Sequence, residues 1–544
     1  MNNSNHQKIN NSKKNNSNRV YLYDSTLRDG AQTSTVNFSS HNKIAIADKL
    51  DELGIDMIEG GWPGANPTDD IFFKNLPKLK KSKFVAFGMT RKSGISASND
   101  TNLRLVIDSP VDMICLVGKS WDFHLINALK ISEQENLLMI KDSIQLIKSK
   151  NKEAIFDAEH FFDGYKSNPE FAIRAIKTAF DAGARWIVLC DTNGGTLPWE
   201  IEKIINQITK HIPGKNLGIH CHNDTGNAVA NSLIAVQSGV RQVQGTINGL
   251  GERCGNADLI SIIPSLIFKM GFDLGIDPKN LVKTSRFLDE ILNKEENKFA
   301  PYVGKFAFAH KGGLHVSAVL KNSESYEHIN PELVGNQRMI MISDQAGKSN
   351  IINRLKELNL ITNDQESSEK ILKLVNKVKE LEATGYAYDS ADASFEILAK
   401  NQLSIIPKFY EIINFRVVDS RIKENNDEII TIAEAIVKLK INNKTSISAT
   451  EGIGPVNALD KALKKALSKQ YPQLKNIILS DYKVRILNPS QGTLAMTRVQ
   501  IESQDKKTNQ KWTTIGVSKN IIDASFIAMN ESIIFYLLHN NLKS

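Results

Sequence analysis

The sequence predicts a chain of the α/β class: a closed parallel (β/α)8 barrel, then helical linker subdomains, then a C-terminal α+β domain. Three observations predict it. Eight short apolar runs fall between residue 20 and about 270, amphipathic stretches of crossover length separate them, and polar residues collect where the runs end. At 544 residues the chain exceeds what one core organises, so an enzyme-sized module with something further is expected.

In chain order, the first 19 residues are almost entirely polar, bury too little to order themselves, and are expected to form a disordered tail over 1–19. They lack the apolar stretch of a secretory signal, while their basic, Ser- and Asn-rich character leaves a transit peptide open. The barrel runs are RVYLYD near 20, IDMIEG near 57, FVAFG near 86, VDMICLV near 114, AIFDAE near 156, WIVLCD near 189, LGIHCH near 219 and VRQVQGTIN near 244. Helices are expected over 40–53, 124–149, 168–182, 197–211 and 225–238. Eight such units fit a closed barrel over 20–295 better than an open doubly wound sheet, which stays the alternative. Residues 296–404, with helical stretches at 281–293 leading in and 370–381 within, read as linker subdomains folding over the barrel mouth. Over 405–544 the runs FYEIINFRVV, IITIAEAIVKLKI, DYKVRIL and LAMTRVQIES read as strands, with helices at 457–468 and 523–539. The residues alone make this last part a binding or oligomerisation module, and no short internal repeat is evident beyond the strand–helix unit of the barrel.

Composition narrows the function. No window offers the roughly 20 consecutive apolar residues that span a bilayer, so no membrane partner is expected. The net charge of +8 lies partly in the tail, and no basic groove with interleaved aromatics is visible, so no nucleic acid is expected either. Four cysteines without a CxxC pair suit a reducing cytoplasm. No GxGxxG follows a strand and no GxxxxGKS occurs, which removes the dinucleotide and P-loop signals.

The chemistry concentrates at the ends of the runs. His220 and His222 are two apart in a strand and so point to one side, with Cys221 pointing away. Alone, such a pair is as readily two packed histidines as two ligands. Closure of the first strand on the eighth, beside the seventh, lets Asp29 and Asn256 approach the pair, giving a candidate divalent metal site for Zn²⁺, Mn²⁺ or Mg²⁺. Such a metal keeps open positions and can hold a ligand with two adjacent oxygens, a 2-oxo acid among them. Arg28 is placed to stabilise a developing oxyanion, or to prop its loop through a salt bridge. Glu159 in DAEHFFDG would orient Arg28 or relay a proton, with Asp157 on the same face as its rival. The Thr192 hydroxyl suits a carboxylate, and Asn248, Glu252 and Arg253 would hold the ligand-bearing loop. Beyond the barrel, AHKGGLH offers His310, Lys311 and His315 for proton transfer, with Tyr326 as a possible partner; a structural role for each stays open.

DSTLRDGAQ, HCHNDTGNAVANSLIAVQSG and NGLGERCGNADL together resemble the acyltransferase family of 2-isopropylmalate, homocitrate and citramalate synthases, within a metal-dependent TIM-barrel superfamily that includes hydroxymethylglutaryl-CoA lyase. The resemblance covers essentially the whole chain after the tail. It implies metal ligands at Asp29, His220, His222 and Asn256, a catalytic Arg28 paired with Glu159, a substrate-facing Thr192, a histidine for proton abstraction at His315, a looser match at Tyr326, and Gln32 bordering the oxo-acid pocket. Acetyl-CoA is the implied co-substrate. EGGWPGANPTD, DAEHFFDG and HKGGLH depart from the isopropylmalate form and resemble the citramalate branch, which implies pyruvate as acceptor and a place in isoleucine synthesis by way of 2-oxobutyrate. Trp62 and Phe161 would trim the pocket to that size. The isopropylmalate branch, using 2-oxoisovalerate, is the alternative. EGIGPVNALDKAL and WTTIGVSKNIIDAS resemble the family's regulatory domain, which implies a homodimer and inhibition by isoleucine, with the turn at Gly452 and Gly454 suited to an amino-acid carboxylate.

Overall fold

The computed structural model describes residues 18–341, 348–361, 369–403, 406–423 and 429–540. The disordered tail expected over 1–19 falls on residues 1–17, outside the described residues; the last two of that span are ordered. Asn18 donates to the Gly271 carbonyl at 2.6 Å, and Arg19 pairs with Asp56 and bridges to Asp273. Two compact units form, one of residues up to Phe308 with Ile329–Gln337, the other of Ala309–His328 with the chain from Arg338 onward.

The first unit is a closed barrel of eight parallel strands in sequence order: β1 (Tyr21–Asp24), β2 (Met57–Gly61), β3 (Lys83–Met89), β4 (Met113–Lys119), β5 (Glu153–Glu159), β6 (Trp186–Asp191), β7 (Leu217–Cys221) and β8 (Gln242–Gly245). Closure is the parallel pairing of β1 with β8, Tyr21 opposite Gln242 and Asp24 opposite Gly245. Because successive side chains in a strand alternate, each run feeds two cores. Leu22, Ile58, Ile114, Phe156, Leu189 and Ile219 pack outward under the helices, whereas Tyr23, Met57, Phe87, Cys115, Ile155 and Val188 fill the barrel. Double burial is why these runs read as continuous apolar segments.

The helix Ser40–Leu53 begins at a Ser39/Asn42 capping box and ends where Gly54 takes φ 99°. The single helix expected over 124–149 is broken in two. A π-turn at Leu125–Leu129 ends at Lys130 in the left-handed region, and Ser132 caps a fresh helix, Glu133–Ser149.

The loop after β2 is fixed by one buried ion pair. Lys43 reaches from the first helix to the Asp69 carboxylate and to the Gly60 carbonyl at 3.0 Å, and Asp69 also accepts from the Trp62 amide at 2.9 Å. Gly61 is required there: a Cβ would lie 2.5 Å from the Asp69 carboxyl carbon, and φ is 140°.

In the second unit, helices Lys348–Glu357, Glu369–Ala383 and Asp392–Leu403 enclose their own small core around Leu355, Leu374 and Phe395. Two three-stranded antiparallel sheets follow, β9 (Glu411–Lys423), β10 (Ile429–Ile441), β11 (Lys444–Gly452) and β12 (Ile477–Ile486), β13 (Thr497–Asp505), β14 (Lys511–Ser518). Each ends in a helix, Pro455–Leu467 and Ile521–His539, so a β-β-β-α arrangement occurs twice where the sequence showed no repeat. The two third strands went unread because KTSISATEG is mostly polar and KWTTIGVS adjoins the next helix. Among the described residues one helix, Ile521–His539, is long and apolar enough to cross a membrane, but 56% of that window is buried within the protein, where it serves as a core helix.

Asp69→Ala leaves the Lys43 ammonium buried without its counter-charge and is expected to destabilise the barrel by about 3–5 kcal/mol, read as a lowered denaturation midpoint; an unchanged midpoint would show the pair to be dispensable.

Candidate active site at the C-terminal end of the barrel

The loop leaving β1 is wound tightly by its own hydrogen bonds. Asp24 accepts from the Thr26 amide at 2.8 Å and its hydroxyl at 2.9 Å, and Thr26 Oγ1 accepts from the Ile247 amide beyond β8 at 2.9 Å. Arg28 and Asp29 emerge from this anchored turn. His220 lies near the end of β7 and His222 just past it, where it bridges to Asn256. Cys221 points into the outer core, as the alternation requires.

Three donor atoms converge. Asp29 Oδ2 lies 3.3 Å from His220 Nε2 and 3.9 Å from His222 Nε2, and the two imidazole nitrogens are 3.4 Å apart. Donors about 2.1 Å from one tetrahedral ion stand about 3.4 Å from each other, so the triangle fits a divalent cation. The polar atoms agree: Asp29 Oδ1 and Asn256 Oδ1 are buried acceptors without a hydrogen-bond partner among the described residues. Asn256 Nδ2 donates to the Leu250 carbonyl at 3.1 Å, which leaves that Oδ1 free. Burial alone would raise the Asp29 pKa, yet Arg28 and the two histidines hold its carboxyl well below the usual carboxylate range. Burial and neighbouring His220 push His222 down to about 4, so it stays a neutral imidazole as ligation demands.

Arg28 is held by a residue other than the one expected. Its Nε donates to Glu59 Oε2 at 2.8 Å, its Nη1 is 3.4 Å from Asp29, and its guanidinium stacks 4.0 Å from the Phe87 ring centroid. Glu59 is fully buried and also accepts from Tyr23 Oη at 2.7 Å and from the Ser25 hydroxyl. Glu159, expected beside Arg28, pairs instead with Lys119 from β4. The reason is geometric: β2 neighbours β1, whereas β5 lies across the barrel. Glu59 carried a readable signal, a carboxylate closing an otherwise apolar run; Lys119 and Gln244 were legible only as polar residues at strand positions.

A cavity of about 300 Å³ joins these groups, with Gln32, Trp62, Asp157, Glu159 and Thr192 on its wall beside the Asp29 and histidine triad. Thr192 Oγ1 accepts from the His160 amide at 2.9 Å, so its hydroxyl hydrogen remains available to a ligand. Its carbonyl is held at 2.7 Å by Arg253, which also grips Asp224 at 2.8 and 3.0 Å. Trp62 separates this cavity from two neighbours of about 310 and 460 Å³, lining all three. Phe161, expected in the pocket wall, is instead buried against Phe162 and Tyr165. Asn248 ties to Ser285 and Asp289 and so braces the loop from behind.

His315 and Tyr326 belong to the second unit. They are stacked with ring centroids 4.2 Å apart, and both are solvent-exposed within it. His310, by contrast, is buried against Glu327, which Arg338 holds through two bonds of 2.6 Å.

Residues 19–288 match the HMGL-like family model, 302–385 the homocitrate synthase post-HMGL domain-like model, and 389–537 the LeuA allosteric (dimerisation) domain. The chain is 50% identical over 525 residues to the (R)-citramalate synthase of Aquifex aeolicus, covering 96% of this chain and 98% of that one. It is 49% identical to the (R)-citramalate synthase of Geobacter sulfurreducens, over 96% and 98% of the two chains. Identity to the 2-isopropylmalate synthase of Methanocaldococcus jannaschii is 32%, over 95% and 94%.

A divalent ion at 100-fold excess over its Kd is expected to stabilise the protein by about 2.7 kcal/mol, seen as a rise in Tm with Zn²⁺ or Mn²⁺. The double variant His220→Ala/His222→Ala should show no such rise; an undiminished one would put the ion elsewhere.

Proposed function

The chain belongs to the citramalate/2-isopropylmalate synthase family of HMGL-like TIM-barrel acyltransferases, and from that premise we propose that it condenses acetyl-CoA with pyruvate to give (R)-citramalate and CoA, for isoleucine synthesis by way of 2-oxobutyrate. The observation that carries the reading is the convergence of Asp29, His220 and His222 beside Arg28 and Thr192 in one cavity of about 300 Å³. The choice of pyruvate is supported by Trp62 on the cavity wall and by near-full-length similarity to chains named (R)-citramalate synthase.

Asp29, His220 and His222, with Asn256 as a fourth ligand, would hold a divalent ion, which supplies Lewis-acid polarisation of a 2-oxo acid when bound. Arg28, fixed by Glu59 and Phe87, directs its guanidinium at the ketone oxygen, where negative charge grows as the carbon–carbon bond forms. The Thr192 hydroxyl donates to the substrate carboxylate, and Gln32 borders the same pocket. Glu159, neutralised by Lys119, is a candidate for relaying protons at the rim. His315, stacked on Tyr326, is our candidate base for the acetyl methyl proton. Loss of that proton gives the carbon nucleophile that adds to the ketone; water then cleaves the thioester and releases CoA.

The allosteric (dimerisation) domain over 389–537 supports a homodimer, and isoleucine is the effector that fits a citramalate product. The buried Cys115, Cys190 and Cys221, all free thiols, accord with a cytoplasmic enzyme.

Thiol release from acetyl-CoA, with a divalent metal and pyruvate, 2-oxobutyrate, 2-oxoisovalerate or 2-oxoglutarate supplied separately, tests the reading. Pyruvate should be preferred, and isoleucine should inhibit; preference for 2-oxoisovalerate would move the assignment to isopropylmalate synthesis. Trp62→Ala is expected to raise kcat/KM for 2-oxoisovalerate relative to pyruvate by about 10-fold or more, the worth of one or two accommodated methyl groups. An unchanged ratio would remove Trp62 from the specificity wall.

A further inference from the structure

Gln244, a polar residue inside the barrel, is not absorbed by the chemistry above. Gln244 sits on β8, fully buried, with its side chain between a metal-site histidine and a buried acid. Its Oε1 lies 2.9 Å from His220 Nδ1, and its Nε2 donates to Asp157 Oδ1 at 3.1 Å. The amide has two possible orientations, and they have opposite consequences. A carboxylate accepts and cannot donate, so Asp157 selects the orientation with the amide NH₂ toward itself. That leaves Oε1 facing His220, which must then donate from Nδ1. The lone pair of His220 is thereby placed on Nε2, the atom 3.3 Å from Asp29 and 3.4 Å from His222 Nε2. With the amide reversed, its NH₂ would face Nδ1, the proton would sit on Nε2, and the imidazole would offer nothing to a cation.

We propose that Gln244 is a positioning residue for the metal centre: oriented by Asp157, it fixes His220 in the Nδ1–H tautomer and so makes Nε2 the ligand atom. The inference rests on Asp29, His220 and His222 holding a divalent ion, but on no choice of oxo acid. The arrangement is economical. The amide carries no charge into the barrel interior, and both of its polar ends are satisfied, so it sets the tautomer without the desolvation cost of another ion. Its neighbours make it rigid. Asp157 lies beside Cys115, Cys115 packs in the same core as Tyr23, and Tyr23 donates to the Glu59 that holds Arg28. Arg28 meets Asp29 at 3.4 Å and Asp29 meets His220, which closes the ring. Gln244 is the member of that ring that carries direction from a fixed acceptor to a metal ligand.

The test is Zn²⁺ affinity of the full-length protein, measured with Zn²⁺ alone by competition against a chelating dye. Gln244→Leu keeps the volume and removes the acceptor, and should weaken Zn²⁺ binding 10- to 100-fold. Gln244→Glu keeps an acceptor for Nδ1–H and can share one proton with Asp157, so it should recover most of the affinity. Should the leucine variant fail to fold, Gln244→Asn serves: shortened by one methylene, it cannot span both contacts and should show a comparable loss. A folded Leu or Asn variant with wild-type affinity, or a Glu variant no better than Leu, overturns the assignment. Wild-type protein that binds no Zn²⁺ overturns it together with the metal centre, whereas preference for another oxo acid in the thiol assay leaves it untouched.

Discussion

The parallel pairing of β1 with β8 is the contact on which the site depends. Asp29 and His220 are 191 positions apart along the chain, and nothing local draws them together. Closure puts β1 two strands from β7, and Thr26, by accepting from the Ile247 amide, locks the loop after β1 to the loop after β8. The donor triangle is then a consequence of barrel geometry. A slip of one residue in the register between β1 and β8 would turn Tyr23 out of the barrel and Leu22 into it, exchanging the two cores.

Within that frame the charges are arranged as a closed set. Arg28, Glu59, Asp29 and Asp157 are all largely or wholly buried, and each lone charge there would cost several kcal/mol. None is alone. Glu59 accepts three hydrogen bonds, including the one from Arg28, and Asp29 is flanked by Arg28 and the imidazoles. Burial and the nearby Glu59 charge push Asp157 up to about 6, and the Gln244 amide is one of the donors that holds it. The polar interior is therefore specified as a unit, and the identity of one member constrains its neighbours.

Much of this was legible from residues. Eight runs, their ends and the face carrying His220 and His222 follow from a period of two, and the amphipathic stretch at 40–53 forms the helix Ser40–Leu53. The departures share a cause. Both the residues and the resemblance point to Glu159 as a partner of Arg28, but pairing across a barrel is settled by strand neighbours, and β2 supplies Glu59 next door. Phe161 could be placed near the site by its number but not on a wall, since a residue just past a strand end points wherever its turn sends it. Gln244 was unreadable as a functional group because a Gln within an apolar run has no periodic signature; its meaning arises from His220 on one side and Asp157 on the other. The repeated β-β-β-α arrangement stayed hidden because one third strand, KTSISATEG, is mostly polar and the other, KWTTIGVS, runs straight on into the helix that follows it.

The unpaired acceptors at the barrel mouth are the remaining element of the design. A folded protein normally satisfies its buried polar atoms, and here Asp29 Oδ1 and Asn256 Oδ1 are left without partners among the described residues, at or beside the triangle of Asp29, His220 and His222. Neighbouring groups that could have served are committed elsewhere: Ser25 to Glu59, Thr26 to Asp24, the Asn256 amide nitrogen to Leu250. Even the glycine at 251 is constrained, since a Cβ there would fall 2.3 Å from Asn256 Nδ2 and displace it. An acceptor oxygen left unpaired in a buried site costs stability, and the partner these two oxygens suit is a cation or a donor group of a bound ligand. Acceptor oxygens rather than donors, set beside two imidazoles, are what suit the barrel mouth to a cation.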